Sequence, residues 1–232
     1  MNELAKLRLN LIIYLTVFSV FCSVPYVIAE QQCTGDICFS WAFGAIVGSE
    51  GNRQFIQINR DTELNSGDQL KMLLKLKKKA FVYVYYHSSQ GELYMLFPYN
   101  LSQFANDYEV SKDYYIPKGN FVLELDEIVG KEKIYLIASN KRIPELENLY
   151  TSYNSAESPK KPELKKQIIL EIRKLRKRHK KFTIEAERPV ASIGGIRGPV
   201  IRETAKFTDL KKIAVEFNAK NFFAKTFTID HK

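Results

Sequence analysis

Histidine and cysteine are scarce in this chain, with three of each among 232 residues. His87, His179 and His231 stand at spacings that suit neither a metal site nor a base beside a nucleophile. His87 precedes Ser88 and Ser89, but adjacent strand residues point to opposite faces and no acid accompanies them. The cysteines hold no C-x-x-C redox pair. No glycine-rich loop ends in Lys-Ser or Lys-Thr. The run Gly194-Gly195-Ile196-Arg197-Gly198 lacks the dinucleotide-binding spacing, so it reads as a structural turn. These absences leave no recognisable metal, redox, P-loop or dinucleotide chemistry. The chain is therefore expected not to be an enzyme, with no catalytic residue, no metal ligand and no cofactor.

Acidic residues are the minority charge, 26 against 35 lysines and arginines, for a net charge of +9. The excess is local. Residues 160–181 carry eleven bases and two acids, which accounts for the whole imbalance, while residues 30–159 are slightly acidic. A uniformly basic nucleic-acid surface is not indicated, and no nucleic-acid partner is expected.

At the N-terminus, Lys6 and Arg8 precede a run over 9–21 that is apolar apart from Asn10, Thr16 and Ser19. Pro25 breaks it, and Val27-Ile28-Ala29 places a small residue before Glu30. Residues 1–29 read as a signal peptide. The alternative is an uncleaved anchor through residues 9–29, since 11–29 is nearly long enough to span a bilayer. Cys22 follows Phe21, too bulky for the small residue that precedes a lipidated cysteine. The chain is thus expected outside the cytoplasm, periplasmic or extracellular. Residues 30–38 form a linker holding Cys33 and Cys38. In an exported chain this pair reads as a disulfide closing a short loop, with free thiols as the alternative.

Residues 66–98 organise the rest. Leu70, Met72, Leu74 and Leu76 alternate with Lys71, Leu73, Lys75 and Lys77, a period of two with one apolar and one mostly lysine face. Ser66-Gly67-Asp68 turns the chain before them. Lys77-Lys78-Lys79 marks a loop. Residues 81–87 are β-branched and aromatic, as a pleated surface requires. Ser88-Ser89-Gln90-Gly91 suits a hairpin, and Pro98 stops the strand over 92–97 by removing a ladder donor. This pattern resembles the bacterial domain of unknown function 4384 family. Ser66, Gly67, Asp68 and Leu70, the aromatic strand 81–86, then Ser89, Gly91, Glu92 and Leu96-Phe97-Pro98 carry the likeness. Tyr115-Ile116-Pro117 and the strand 132–139 add to it, so the resemblance covers roughly residues 39–144. It implies a fold and an exported setting, and it supplies no activity or catalytic residue.

Further strands are predicted over 39–47, 55–58, 114–116, 121–125 and 134–138, with a long loop over 100–113. Phe121, Leu123 and Leu125 alternate within one of them. Short strands at this spacing predict a mainly β fold, an antiparallel, immunoglobulin-like β-sandwich over 39–143. A helical segment covers 144–181. Within it, Leu164, Ile168, Ile172 and Leu175 form the apolar stripe of a basic amphipathic helix. Residues 182–232 return to β, with Ile213, Val215 and Phe217, then Phe223, Phe227 and Ile229, in alternation. A tail of that length is marginal alone, so its strands are expected to pack back on the sheet.

Two surfaces suggest function. Tyr83 and Tyr85 share a strand face, either buried under the tail or exposed to stack on a glycan or a partner. Arg173, Lys174, Arg176, Lys177, Arg178, Lys180 and Lys181 form a basic helix face. That face is either simply solvated or, through 160–181, set against an anionic membrane. The stripe has no Trp or Phe anchor before Phe182, which favours solvation. The expected role is a non-enzymatic module binding a protein partner in the bacterial cell envelope. Glycan or cell-surface binding is the alternative, and a hydrolase comes last.

Overall fold

Inward-facing residues on alternate positions build the core. In β1 (Ile37–Val47), Ile37, Phe39, Trp41, Phe43 and Ala45 join one buried cluster, while Ala42 joins another on the opposite face. The computed structural model describes residues 33–179, 186–189 and 207–232. The signal or anchor at 1–29, the glycine loop, Lys180 and Lys181 lie outside the described residues.

After β1 come β2 (Gln54–Gln57), β3 (Thr62–Leu64), β4 (Gln69–Leu76), β5 (Phe81–His87) and β6 (Leu93–Phe97). A four-residue helix α1 (Gln103–Asn106) interrupts the expected loop. Then follow β7 (Asp113–Ile116), β8 (Leu123–Glu124) and β9 (Gly130–Ser139). Two helices come next, α2 (Pro144–Ser155) and α3 (Lys161–His179). β10 (Ala186–Pro189), a 3-10 segment (Phe207–Ile213), β11 (Val215–Ala219) and β12 (Phe222–His231) complete the order.

The fold is mainly β, with two facing sheets. The first runs β10-β11-β1-β4-β7, with β2 also on β1 and β8 also on β4. The second runs β3-β12-β9-β5-β6. Pairing is antiparallel except between β3 and β12, which run parallel. The C-terminal strands do pack back, and they enter both sheets: β11 pairs with β1, and β12 lies between β9 and β3. Cys33–Lys232 form one compact unit.

Aromatic rings fill the space between the sheets. Trp41 and Phe43 both meet Phe227 edge-on, and Phe217 lies 3.8 Å from Phe223. Helices α2 and α3 cover the outer face of the second sheet, where Leu146, Tyr153, Ile168, Ile172 and Leu175 meet Tyr83, Tyr85, Tyr135 and Ile137. The 3-10 segment covers part of the outer face of the first sheet, with Leu210 against Ala42 and Leu73. That cover changes two expectations. The alternate face of β4 is not uniformly solvated, since Lys71 and Leu73 are buried. Ile213 ends the 3-10 segment rather than starting a strand. The strand expected over 121–125 shortens to two residues, because Phe121 sits in a loop with its ring in solvent. Among the described residues no helix is long and apolar enough to cross a membrane.

Candidate functional site

Tyr83 and Tyr85 point from β5 toward the helices, and both are fully buried. The Tyr83 hydroxyl donates to Glu147 Oε1 at 2.6 Å and accepts from the Ile143 amide at 3.1 Å. Arg142 pairs with the same carboxylate. Burial, and then the bond to Glu147, push the Tyr83 phenol far above its ordinary range. The Tyr85 ring packs on Tyr150, 5.6 Å between centroids. An exposed tyrosine face for glycan stacking is therefore corrected: the apolar stripes of α2 and α3 occupy it.

Arg173, Lys174, Arg176, Lys177 and Arg178 are exposed along α3, while Ile168, Ile172 and Leu175 are buried beneath them. Lys174 pairs with Glu171, and Arg176 reaches Thr226 on β12. Cys33 and Cys38 form a disulfide. The Glu216 carboxylate lies beside both sulfurs and pairs with Lys77. A disulfide leaves neither sulfur as a thiolate to ligate a metal.

Lys71 points outward from β4 and is only 5 % exposed. Its ammonium donates to the carbonyls of Gly119 at 2.6 Å and Phe121 at 2.8 Å, and it faces the rings of Tyr115 and Phe207. Burial lowers its pKa, so the charge is held in place by these contacts against its cost. The loop it grips turns at Gly119, whose φ of +63° suits glycine. Phe121 on that loop is 77 % exposed. Of the six large apolar side chains exposed among the described residues, three (Phe121, Ile128 and Val129) lie in the 118–129 segment. Apolar display is thus concentrated there.

The second sheet brings together a polar row that the spacing of residues does not announce. Strands β3, β12, β9 and β5 are neighbours in that order. β3 leads into the turn holding Ser66, and its parallel pairing sets Leu64 beside His231 on β12. On β9, Glu132 is two residues from Gly130, the register partner of His231. On β5, Tyr86 pairs with Ile134, again two residues from Glu132. Strands β12, β9 and β5 contribute one side chain each, and the turn after β3 contributes Ser66. Ser66 Oγ lies 3.0 Å from His231 Nε2, His231 Nδ1 lies 3.4 Å from Glu132 Oε1, and Tyr86 donates to Glu132 Oε2 at 2.6 Å. The Nδ1 contact is longer than a hydrogen bond, and among the described residues this buried nitrogen has no bonded partner. His231 and Glu132 are each 2 % exposed, whereas Ser66 is exposed. Burial, and then Glu132, raise the Tyr86 phenol far above its usual range, so it stays a donor.

Among the described residues, His87 has no such partners. It is half-buried at the end of β5, and burial, Lys165 and Lys133 lower its pKa. Ser88 Oγ accepts from the Glu92 amide, and Ser89 Oγ donates to the Ile128 carbonyl. The row around His231 was missed because its members lie on three strands and a turn far apart in sequence. A signal did exist. The inward series Phe223, Phe227, Ile229 reaches His231 two residues later, and the series Ile134, Leu136, Ala138 runs back to Glu132.

Residues 63–142 match the model of a family described as Domain of unknown function (DUF4384). That stretch runs from within β3 past the end of β9, and it contains Ser66 and Glu132 but not His231. No curated protein and no solved structure matches the chain.

Proposed function

We propose that the chain is an exported binding module of the bacterial cell envelope, periplasmic or extracellular. It is built on an immunoglobulin-like sandwich and engages a protein partner through its 118–129 segment. One observation carries this reading: Phe121 stands 77 % exposed on a loop whose carbonyls are gripped by a buried lysine. An aromatic side chain on a backbone held in place before binding spares the loop's ordering cost on docking, which suits an interface anchor. The apolar N-terminus and the disulfide support export. The test uses the chain beginning at Glu30 as bait for an envelope fraction, beside its Phe121→Asp variant. A protein retained by the wild type and lost from the variant supports the reading. Identical retention, or none, rejects it.

The exposed basic face of α3 favours a second contact. Arg173, Lys174, Arg176, Lys177 and Arg178 would face an anionic membrane surface through the 160–181 helix. Vesicles with and without anionic lipid test this contact. Binding to both alike, or to neither, removes it.

A further inference from the structure

The row Ser66–His231–Glu132–Tyr86 has the chemistry of an activated serine. We propose that Ser66 is a nucleophile that takes acyl groups from small activated esters, with His231 as its general base. This inference does not rest on the binding reading, and it departs from the expectation that the chain is no enzyme, which judged His231 by its spacing in the sequence alone.

The geometry supports each role. Ser66 is exposed at a turn, so its hydroxyl is open to a reagent. His231 Nε2 lies within hydrogen-bond reach of that hydroxyl, at 3.0 Å. Behind the ring, the Glu132 carboxylate lies 3.4 Å from Nδ1 without a hydrogen bond, close enough to stabilise the imidazolium that forms when Nε2 takes a proton. With its own proton on Nδ1, the ring accepts from the Ser66 hydroxyl at Nε2. Tyr86 fixes the carboxylate from the far side. Ser66 and His231 are the catalytic residues, and Glu132 and Tyr86 are positioning residues.

The step balances with water as the only co-reactant. Ser66 Oγ bonds to the ester carbonyl carbon as its proton passes to His231 Nε2. The tetrahedral adduct collapses, the C–O bond to the alcohol breaks, and Nε2 returns the proton to the departing alcohol. Water then adds to the acyl-serine and gives a proton to Nε2. Collapse of that adduct frees the carboxylic acid and returns the proton to Ser66 Oγ.

The surroundings also set the substrate class. The amides of Ser66, Gly67 and Asp68 already donate to the carbonyls of Lys232, Leu125 and Asn65. The oxyanion thus has no vacant backbone donors at this turn, which removes the largest single source of rate. Good leaving groups are needed, so the site takes activated esters and phosphonyl electrophiles rather than amides.

The experiment treats the full chain with a fluorophosphonate probe and locates the label by mass spectrometry. The proposal expects modification at Ser66 in the folded protein. Labelling should be absent in Ser66→Ala, unchanged in Ser89→Ala, and slowed roughly 100-fold in His231→Gln, the scale of a lost general base. Circular dichroism confirms that each variant is folded. Glu132→Asp should keep part of the labelling rate that Glu132→Gln loses, a rescue by the conservative variant that a purely structural role would not give. No label on Ser66 overturns the proposal. So does equal labelling of the wild type unfolded in urea, or of a folded His231→Gln.

Discussion

Lys71 and Lys75 lie on the same face of β4, yet Lys71 is 5 % exposed while Lys75 pairs with Asp113 near the surface. The alternation of leucine and lysine shows which side of the strand they take, and it is silent on what covers that side. The cover comes from the 3-10 segment Phe207–Ile213 and from the 118–121 loop, neither of which has a period to read. Replacing Lys71 with methionine should leave two loop carbonyls without their donor and cost about 1–3 kcal/mol of stability. Lys75→Ala should stay within about 0.5 kcal/mol. Denaturant melts of both variants measure the difference. Limited proteolysis of Lys71→Met should open new cleavage at 118–121. The tyrosines make a second statement at this scale. Tyr83, Tyr85, Tyr86 and Tyr108 all have pKa values raised chiefly by burial above the ordinary value near 10. A raised folded-state pKa leaves its stabilising contribution intact below pH ~10. Above that, the unfolded chain ionises while the folded one resists, so stability falls. A pH series of melts should decline past pH ~10, and phenolate absorbance for these residues should appear only with unfolding.

At the scale of elements, β6 is an edge of the second sheet, and its free amides are not left to solvent. Tyr153 accepts from the Leu93 amide at 3.1 Å, and Tyr150 accepts from the Met95 amide at 3.0 Å. Helix α2 thus caps an edge that would otherwise template strand addition. Changing both tyrosines to phenylalanine should cost about 1 kcal/mol for each lost bond and raise aggregation. Thermal melts and light scattering read the two effects. The same elements show what the sequence makes legible. β1, β4, β5 and β9 are long enough for alternation to register, and α3 shows its stripe. β3 and β8, three and two residues long, contain no period at all. The stretch over 121–125 alternates as a strand does, but Lys71 holds its first residues as a loop and leaves Phe121 outside. Tyr83 and Tyr85 were legible as a shared face, but only the packing of α2 and α3 decides that the face is covered.

Across the whole molecule, the two C-terminal strands are structural members of both sheets. β11 lies against β1, and β12 runs the length of β9. Phe217, Phe223 and Phe227 supply a large share of the aromatic interior, and Ile229 packs in the same cluster. A chain stopped after residue 213 should therefore fail to fold, shown by loss of cooperative melting, even though it retains the whole family-matched stretch 63–142. The polar row depends on the same architecture, because only the β3–β12 parallel pair carries His231 to Ser66. On the proposed reading, the sandwich displays the 118–129 segment to a protein partner in the envelope. A photo-crosslinking amino acid placed at Phe121 in living cells tests it most directly, with the same group at exposed Arg53 as the reference. The account predicts a discrete adduct to one envelope protein from position 121 and none from position 53. No adduct from 121, or the same adducts from both positions, would contradict it.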